Sequence, residues 1–302
     1  MKLSAVVNTL NEEENIADCL ESLSWADEIV VVDMESDDNT QEIAKRYTDK
    51  IFTHERMGYV EPARNFAINK TTGDWIMILD ADERVPQSLA SKLIKIAQEK
   101  KYDFVRIPRK NLIFSSWIKH SRWWPDYNIR FFKRGHVQWG DEIHSIPFTQ
   151  GSGIDLPDKE DLAIVHHHYT SISQYLKRLD RYTSVQADQL IEENYQFEWT
   201  DLITKTSSEF LSRFFAGQGY LDGLHGLALS SLQAFSEFVV YLKVWQIQGF
   251  KTYSGSSFTD KLFKQFQKAG SDFKYWLTTL KIHQATKKSQ RLWLRILRKL
   301  GI

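Results

Sequence analysis

The sequence predicts an α/β fold: a mostly parallel, doubly wound sheet in the first part of the chain, followed by a helical C-terminal region. Short apolar runs rich in Val and Ile alternate, over the first hundred residues, with segments whose apolar residues recur at helical spacing. This alternation of strand and helix is typical of a parallel sheet covered by helices. Beyond residue 170 the apolar spacing is helical, which predicts the C-terminal region.

The elements of the first hundred residues follow from these two patterns. The apolar runs predict strands at Leu3–Thr9, Glu28–Asp33 and Asp74–Asp80. The amphipathic segments predict helices at Glu12–Leu23, Thr40–Tyr47, Pro62–Asn69 and Ser88–Lys100. Because ligands bind at the carboxyl ends of the strands in such sheets, we expect the functional site at that edge.

The rest of the chain has two parts, the first predicted to contain strands and the second predicted to be helical. Three further strands are predicted at Phe104–Pro108, Asn128–Phe132 and Ala163–His168, joined by loops rich in Trp, Arg and Gly. The predicted helices that follow are Ser171–Glu193, Ser207–Gly217, Leu224–Gln246, Asp260–Ala269 and Lys288–Leu300. We therefore expect an α/β domain over residues 1–200 and a helical, basic region over 201–302.

Composition excludes several classes of protein. The 302 residues are 42% hydrophobic and 26% charged, as is usual for a soluble globular protein, so global disorder is excluded. A single cysteine, Cys19, excludes an internal disulfide and a zinc site of the CxxC type. The N-terminal segment is too acidic for a signal peptide, and no run of about 18 uninterrupted apolar residues predicts a membrane span.

Charge is unevenly distributed although the net charge is zero. Residues 243–302 hold 13 Lys and Arg against 2 Asp and Glu, which predicts a polyanionic partner for this region. The last helix places Leu292, Trp293 and Ile296 on one side and its arginines largely on others, as in helices that lie in a membrane interface. Packing on the acidic domain and contact with another copy remain open alternatives. No nucleic-acid motif is present, so we expect no nucleic acid partner.

The segment Asp80-Ala81-Asp82 directly follows an apolar strand. Two carboxylates at this spacing can face one divalent cation, and oxygen ligands suit Mg²⁺ or Mn²⁺. Taken alone, the segment is equally well interpreted as two solvated loop acids. Its context favours the site, because Asn11-Glu12 and Asp33 also follow strands and should lie at the same edge.

The strings VVNTLNEEENIADCLESL, EIVVVDMESDDNT and EPARNFAINKTTGDWIMILDADE resemble the inverting glycosyltransferases of family 2, which have the GT-A fold. Farther along, WWPDYNIRFFKR, IVHHHYTSISQYL and GYLDGLHGLAL resemble one subgroup, the lipopolysaccharide core β-glucosyltransferases and related enzymes of bacterial cell-surface glycans. The resemblance is dense over residues 1–90 and weaker beyond residue 100.

The resemblance implies a nucleotide-sugar donor, with a UDP-sugar favoured, and a Mg²⁺ or Mn²⁺ cofactor. The implied donor-binding residues are Thr9, Asn11, Glu12, Asp33, Arg64, Asp80, Ala81 and Asp82. The implied metal ligands are Asp82, Asp80 and His166. Three purely structural roles remain open as alternatives: a turn residue for Asp33, a helix-surface cation for Arg64, and a hydrogen-bonded structural histidine for His166.

An inverting transfer also needs a base that removes the proton of the acceptor hydroxyl. Glu142, or Asp141 beside it, is the candidate base. Members of the subgroup typically have Glu after the histidine of this segment, whereas this chain has Ser145 after His144. A role for these acids as loop residues paired with a nearby arginine remains open. Stacking of sugar rings on aromatic faces makes Trp123 and Trp124, with His144, candidates for the acceptor site, although aromatic packing explains the tryptophans equally well.

We therefore predict an inverting glycosyltransferase of the hexosyltransferase type, acting on a cell-surface glycan or a lipid-linked acceptor of the lipopolysaccharide core kind. It is expected in the cytoplasm, peripherally attached to the inner face of the cytoplasmic membrane. One alternative is a non-catalytic glycan- or membrane-binding relative of the same fold. A nucleotidyltransferase is disfavoured because Asn11-Glu12-Glu13-Glu14 stands where such an enzyme has a glycine-rich phosphate loop.

Overall fold

The computed structural model of the chain describes residues 1–56, 60–140 and 147–300. The strands of this part are β1 (Leu3–Thr9), β2 (Glu28–Asp33), β3 (Ile51–Thr53), β4 (Trp75–Asp80), β5 (Glu83–Arg84), β6 (Phe104–Ile113), β7 (Ser116–Trp117), β8 (Asp126–Lys133), β9 (Val137–Gln138), β10 (Phe148–Thr149), β11 (Gly153–Asp155) and β12 (Ile164–Tyr169). The helices are α1 (Ile16–Glu21), α2 (Thr40–Ala44), α3 (Glu61–Lys70), α4 (Gln87–Glu99), α5 (Ile172–Glu192), α6 (Asp201–Leu211), α7 (Gly223–Ile247), α8 (Ser256–Gln284) and α9 (Lys288–Leu300).

The main sheet has a parallel half and an antiparallel half. Its strand order is β3-β2-β1-β4-β8-β6-β12-β5, and β1 pairs in parallel with both β2 and β4. Strand β8 then runs antiparallel to β4 and β6. The predicted α/β fold with a mostly parallel, doubly wound sheet is thus confirmed in its first four strands, while the antiparallel insertion of β8 was not predicted.

Apolar side chains cover both faces of the parallel half. All seven residues of β1 are buried, as expected for a strand with helices on both sides. On one face Val7 packs with Leu20 of α1 and Leu93 of α4. On the other face Val6 packs with Ala67 of α3. Since successive side chains of a strand point to opposite faces, one run of valines supplies both cores.

The backbone divides into two compact units. The first comprises residues 1–117 and 123–168, and the second comprises residues 118–122 and 169–302. Helix α5 therefore belongs to the second unit, whereas the sequence analysis placed it within the domain 1–200.

The second unit is helical, as predicted. Helix α7 packs against α5 and α6, and α8 packs against α9 through Ile282, Ala285, Leu294 and Leu297. Within the described residues, one segment, Gly219–Ile247, is long and apolar enough to cross a membrane by length and composition, and 33% of its most apolar stretch is buried. No such segment is predicted from the sequence, because His225, Gln233 and Glu237 interrupt the apolar run.

Candidate functional site

Three strands of the first unit end side by side. In the parallel register, Thr9 of β1 lies beside Asp33 of β2, and Asn8 of β1 lies beside Asp80 of β4. The structure thus brings together the polar strand ends that the sequence analysis expected at one edge. This edge is where α/β sheets bind their ligands.

The loops that follow β1 and β2 are tied to each other. The Asn11 side-chain oxygen accepts a hydrogen bond from the Asp37 backbone N–H (2.7 Å), and the Glu12 backbone N–H donates to the Thr40 hydroxyl (2.8 Å). Both loops therefore hold one shape, which is a requirement for a preorganised binding surface.

Asp33 is fully buried beneath these loops. Its carboxylate accepts from the backbone N–H and the hydroxyl of Ser36 and from the Gln41 amide. A carboxylate has about four acceptor positions, so three are occupied within the protein and about one remains. Beside it, the hydroxyl of Thr9 is buried and makes no hydrogen bond in the described part of the chain.

Asp80 is held between two arginines. Arg64 of α3 donates to Asp80 Oδ1 (2.9 Å), and Arg130 of β8 donates to Asp80 Oδ2 (2.6 Å). Burial works against ionisation of Asp80, but the charges of Arg130 and Arg64 outweigh it and hold the pKa of the carboxyl well below its ordinary value. Asp80 is therefore an anion at neutral pH, and Arg64 is a buried ion-pair partner, not a helix-surface cation.

Further charges are buried behind Asp80. Glu83 has no exposed surface and accepts from Arg130 (2.8 Å) and Arg109 (3.2 Å). Arg109 also donates to Asp126 (2.6 Å). Because ionic groups removed from water need partners, this alternation of arginines and carboxylates fixes the position of Asp80 at the strand end.

Asp82 meets His166 through strand pairing. Strand β5 pairs with β12, so that His166 lies opposite Glu83, and the His167 backbone N–H donates to the Asp82 carbonyl (2.9 Å). The result is a distance of 3.5 Å between Asp82 Oδ2 and His166 Nε2, and both side chains are buried.

Asn111 determines which nitrogen of His166 faces Asp82. Its side-chain amide donates to the Trp123 backbone carbonyl (2.9 Å), which turns Asn111 Oδ1 toward His166 Nδ1 at 2.7 Å. The hydrogen-bond pattern therefore assigns the ring proton to Nδ1. His166 Nε2 faces Asp82 Oδ2 and lies at hydrogen-bond distance, 3.2 Å, from His168 Nδ1.

Asp82 and His166 can each supply one ligand to a divalent metal ion. A carboxylate oxygen suits Mg²⁺ or Mn²⁺, and an imidazole whose other N–H is hydrogen-bonded is a usual metal ligand. Within residues 1–56, 60–140 and 147–300 no three His, Cys, Asp or Glu side chains form a metal-binding group. Asp80, the third predicted ligand, pairs with arginines instead. Asp82 and His166 thus offer two ligands that fit a divalent cation.

The predicted base and acceptor residues are only partly covered by the structure. Asp141, Glu142 and His144 lie outside the described residues. Trp123 packs against His168, with ring centroids 5.5 Å apart. Trp124 instead meets Trp117 edge to face at 5.1 Å.

Comparison with known proteins identifies the family of the chain. Residues 4–153 match the model of "Glycosyl transferase family 2", and similar proteins along most of the chain are named glycosyltransferases. This chain is a family 2 glycosyltransferase.

Two relatives of this glycosyltransferase each cover more than four-fifths of its length. An uncharacterized glycosyltransferase of Rickettsia typhi is 29% identical over 258 residues, 82% of this chain and 87% of the relative. The lipopolysaccharide core biosynthesis glycosyltransferase LpsC of Rhizobium meliloti is 24% identical over 83% of this chain and 94% of its own. Among solved structures, the mannosyltransferase PcManGT from Pyrobaculum calidifontis, in complex with GDP-Man and Mn²⁺, covers 99% of this chain and 85% of its own with 16% identity and a TM-score of 0.44.

Sequence reasoning missed several residues of this glycosyltransferase site. Glu83, Arg109 and Asn111 were not singled out, and Arg130 was considered only as a partner of a loop acid. One sequence signal points to Arg130, which directly precedes two fully buried phenylalanines. Such residues are rarely buried without partners.

Proposed function

We propose that this glycosyltransferase is a metal-dependent, inverting enzyme that moves a hexose from a nucleotide sugar, with a UDP-sugar favoured, to a cell-surface glycan or lipid-linked acceptor. One observation carries the proposal: Asp82 Oδ2 and His166 Nε2 lie 3.5 Å apart beside the strand ends that present Thr9, Asp33 and Asp80. Two protein ligands leave room for phosphate oxygens on a cation such as Mn²⁺.

The donor nucleotide is assigned to the loops after β1 and β2. Thr9 has a buried hydroxyl that makes no hydrogen bond among the described residues, and the Asp33 carboxylate retains about one acceptor position. A base N–H or a ribose hydroxyl can satisfy these groups, with Asn11 and Glu12 holding the loops in place. Asp80, an anion at neutral pH, accepts from a ribose hydroxyl, while Arg64 keeps it oriented.

The reaction in this proposal is a single displacement at the anomeric carbon. The acceptor oxygen forms its bond to that carbon as the bond to the leaving diphosphate oxygen breaks, and the configuration inverts. A carboxylate takes the acceptor proton, and Glu142 or Asp141 remains our candidate. A divalent cation held by Asp82 and His166 supplies positive charge that offsets the charge growing on the diphosphate.

The acceptor and the location of the enzyme rest on two further observations. A relative that covers most of the chain is named for lipopolysaccharide core biosynthesis. In addition, Leu292, Trp293 and Ile296 of the basic helix α9 are more than half exposed. We therefore place the enzyme peripherally at the inner face of the cytoplasmic membrane, where an anionic surface attracts α9 and the acceptor is lipid-linked. Trp123 and Trp124, with His144, remain our candidates for acceptor contact.

The test of this function is slow hydrolysis of the donor without an acceptor. We expect the protein to hydrolyse one member of a panel of UDP- and GDP-sugars when Mn²⁺ is present. The Asp82→Ala variant should lose this activity because it lacks one protein ligand of the cation. The matched control is Asp155→Ala, which removes an exposed carboxylate paired with Arg106 in the same unit.

Equal hydrolysis rates in the wild-type protein and the Asp82→Ala variant would contradict the metal role. No hydrolysis of any donor by the wild-type protein, with no donor-dependent thermal stabilisation, would favour the non-catalytic alternative.

A further inference from the structure

Exposed apolar side chains are concentrated in one of the two units. Of the 18 large hydrophobic residues that are exposed in the described part of the chain, 15 lie in the second unit. The three in the first unit are Met1, Tyr47 and Phe148. Isolated exposed apolar residues are normal, whereas apolar residues that share one exposed face mark an interaction surface.

Helix α7 carries the longest uncharged part of this surface. Leu224 is 77% exposed, Leu227 is 42% exposed and Phe235 is 48% exposed. At about 100° per residue these three positions fall within roughly 80° of one another, so they form one face. We call this set of three residues the α7 outer face. The opposite side of α7 carries Leu229 and Val244, which are buried in the packing of the second unit.

Ionic groups are nearly absent from the first five turns of α7. Between residues 223 and 242 the only Asp, Glu, Lys, Arg or His residues are His225 and Glu237. Burial raises the pKa of Glu237, with Glu209 nearby acting in the same direction. A face with no charged side chain is unfavourable against water yet well suited to a hydrocarbon boundary.

The charge of the helices that follow α7 in the second unit selects the occupant of this face. Residues 243–302, which include α8 and α9, carry a balance of 13 basic against 2 acidic residues. On α9 the exposed Leu292 and Trp293 alternate with arginines. A second copy of the chain would bring two such basic regions together, whereas an anionic bilayer offers both negative charge and an apolar layer.

We propose that the α7 outer face contacts the acyl-chain boundary of an anionic bilayer, so that the second unit is embedded in the interface beyond its attachment through α9. This inference deepens the proposed membrane location and rests on it. The segment Gly219–Ile247 is consistent with such contact, because it is apolar enough for a membrane while only 33% of its most apolar stretch is buried.

The chain itself supplies a clean labelling scheme for the test. Its single cysteine, Cys19, is fully buried, so an introduced surface cysteine is the site that a spin label reaches. We would label Leu224→Cys, Leu227→Cys and, as a matched control, Phe148→Cys, which is a 75% exposed position of the first unit. Each full-length protein is bound to vesicles of phosphatidylcholine and phosphatidylglycerol.

The readout is the accessibility of each label to oxygen, which enters the acyl region, relative to a water-soluble nickel chelate. We expect vesicle binding to raise the accessibility of labels 224 and 227 to oxygen relative to the nickel chelate. The accessibility of label 148 should not change. Replacing both leucines by Asn should weaken vesicle partitioning roughly tenfold or more, because apolar contact is lost. Deleting residues 288–302 should weaken binding mainly at low salt, through lost charge.

Two results from the labels would overturn this inference alone. In the first, the protein floats with the vesicles but labels 224 and 227 stay accessible to the nickel chelate. Membrane contact would then be confined to α9. Spin–spin broadening between these labels without vesicles would show that a second copy covers the face. Neither readout depends on turnover, so failure here is separate from failure of the proposed transfer reaction. Failure of the wild-type protein to bind vesicles would reject the membrane location and this inference together.

Discussion

Asp80 has contacts that its neighbours in the sequence do not predict. Its place after an apolar strand predicts a ligand-binding acid, and the register beside Asn8 agrees with that position. Its two arginine partners, however, come from α3 and from β8, which is some 50 residues away in the chain. Pairing over such a distance depends on the sheet topology, which no local pattern encodes.

Ionisation of Asp80 should make the stability of the protein depend on pH. The pKa of Asp80 in the folded state lies below its value of about 3.9 in unfolded chains, so its contribution is complete above that value and is lost as the pH falls below it. We expect the free energy of unfolding, measured with urea between about pH 5 and pH 3, to fall less steeply in Asp80→Asn than in the wild-type protein. Asp155→Asn serves as the control. Parallel curves for the wild-type protein and Asp80→Asn would refute the ion-pair assignment.

Among the helices and strands, local sequence patterns predicted the bounds correctly where the apolar residues of a segment are strongly periodic. The bounds of β1, β2 and α9 agree with the prediction. Helix α8 was predicted as Asp260–Ala269 but extends from Ser256 to Gln284. A glycine inside a helix costs only about 1 kcal/mol relative to Ala, so Gly270 does not end α8. The predicted helix Ser207–Gly217 instead begins at Asp201 and passes into a π-helical turn at Ser212–Ala216.

Two glycines of the second unit should respond oppositely to the same substitution. A Cβ at Gly226 of α7 would lie 1.7 Å from the Gly219 carbonyl oxygen, so Gly226→Ala should lower the free energy of unfolding by about 1–3 kcal/mol. Gly270 of α8 has open space around it, and Gly270→Ala should raise that free energy by about 0.5–1 kcal/mol. Thermal and urea unfolding of both variants provide the measurement. Stability changes of the same sign in both variants would contradict the packing described around Gly226.

For the whole molecule, the sequence was sufficient to predict the fold class and the edge of the sheet at which the polar strand ends meet. It also identified Thr9, Asp33, Asp80 and Asp82 as residues of the same edge. It could not reveal that Asn111 orients His166, because that contact joins residues 55 positions apart. Nor could it show that the exposed apolar residues are concentrated in the second unit, since exposure depends on which helix faces pack against each other.

The central claim is that Asp82 and His166 hold a cation that binds the diphosphate of the donor. Titration of Mn²⁺, followed by the electron paramagnetic resonance signal of the free ion, tests it directly with UDP present and absent. We predict that UDP tightens Mn²⁺ binding to the wild-type protein, and that Asp82→Ala and His166→Ala each remove this tightening. Asp155→Ala should bind as the wild-type protein does. The claim would be contradicted if, with UDP present, both site variants bound Mn²⁺ as tightly as the wild-type protein does.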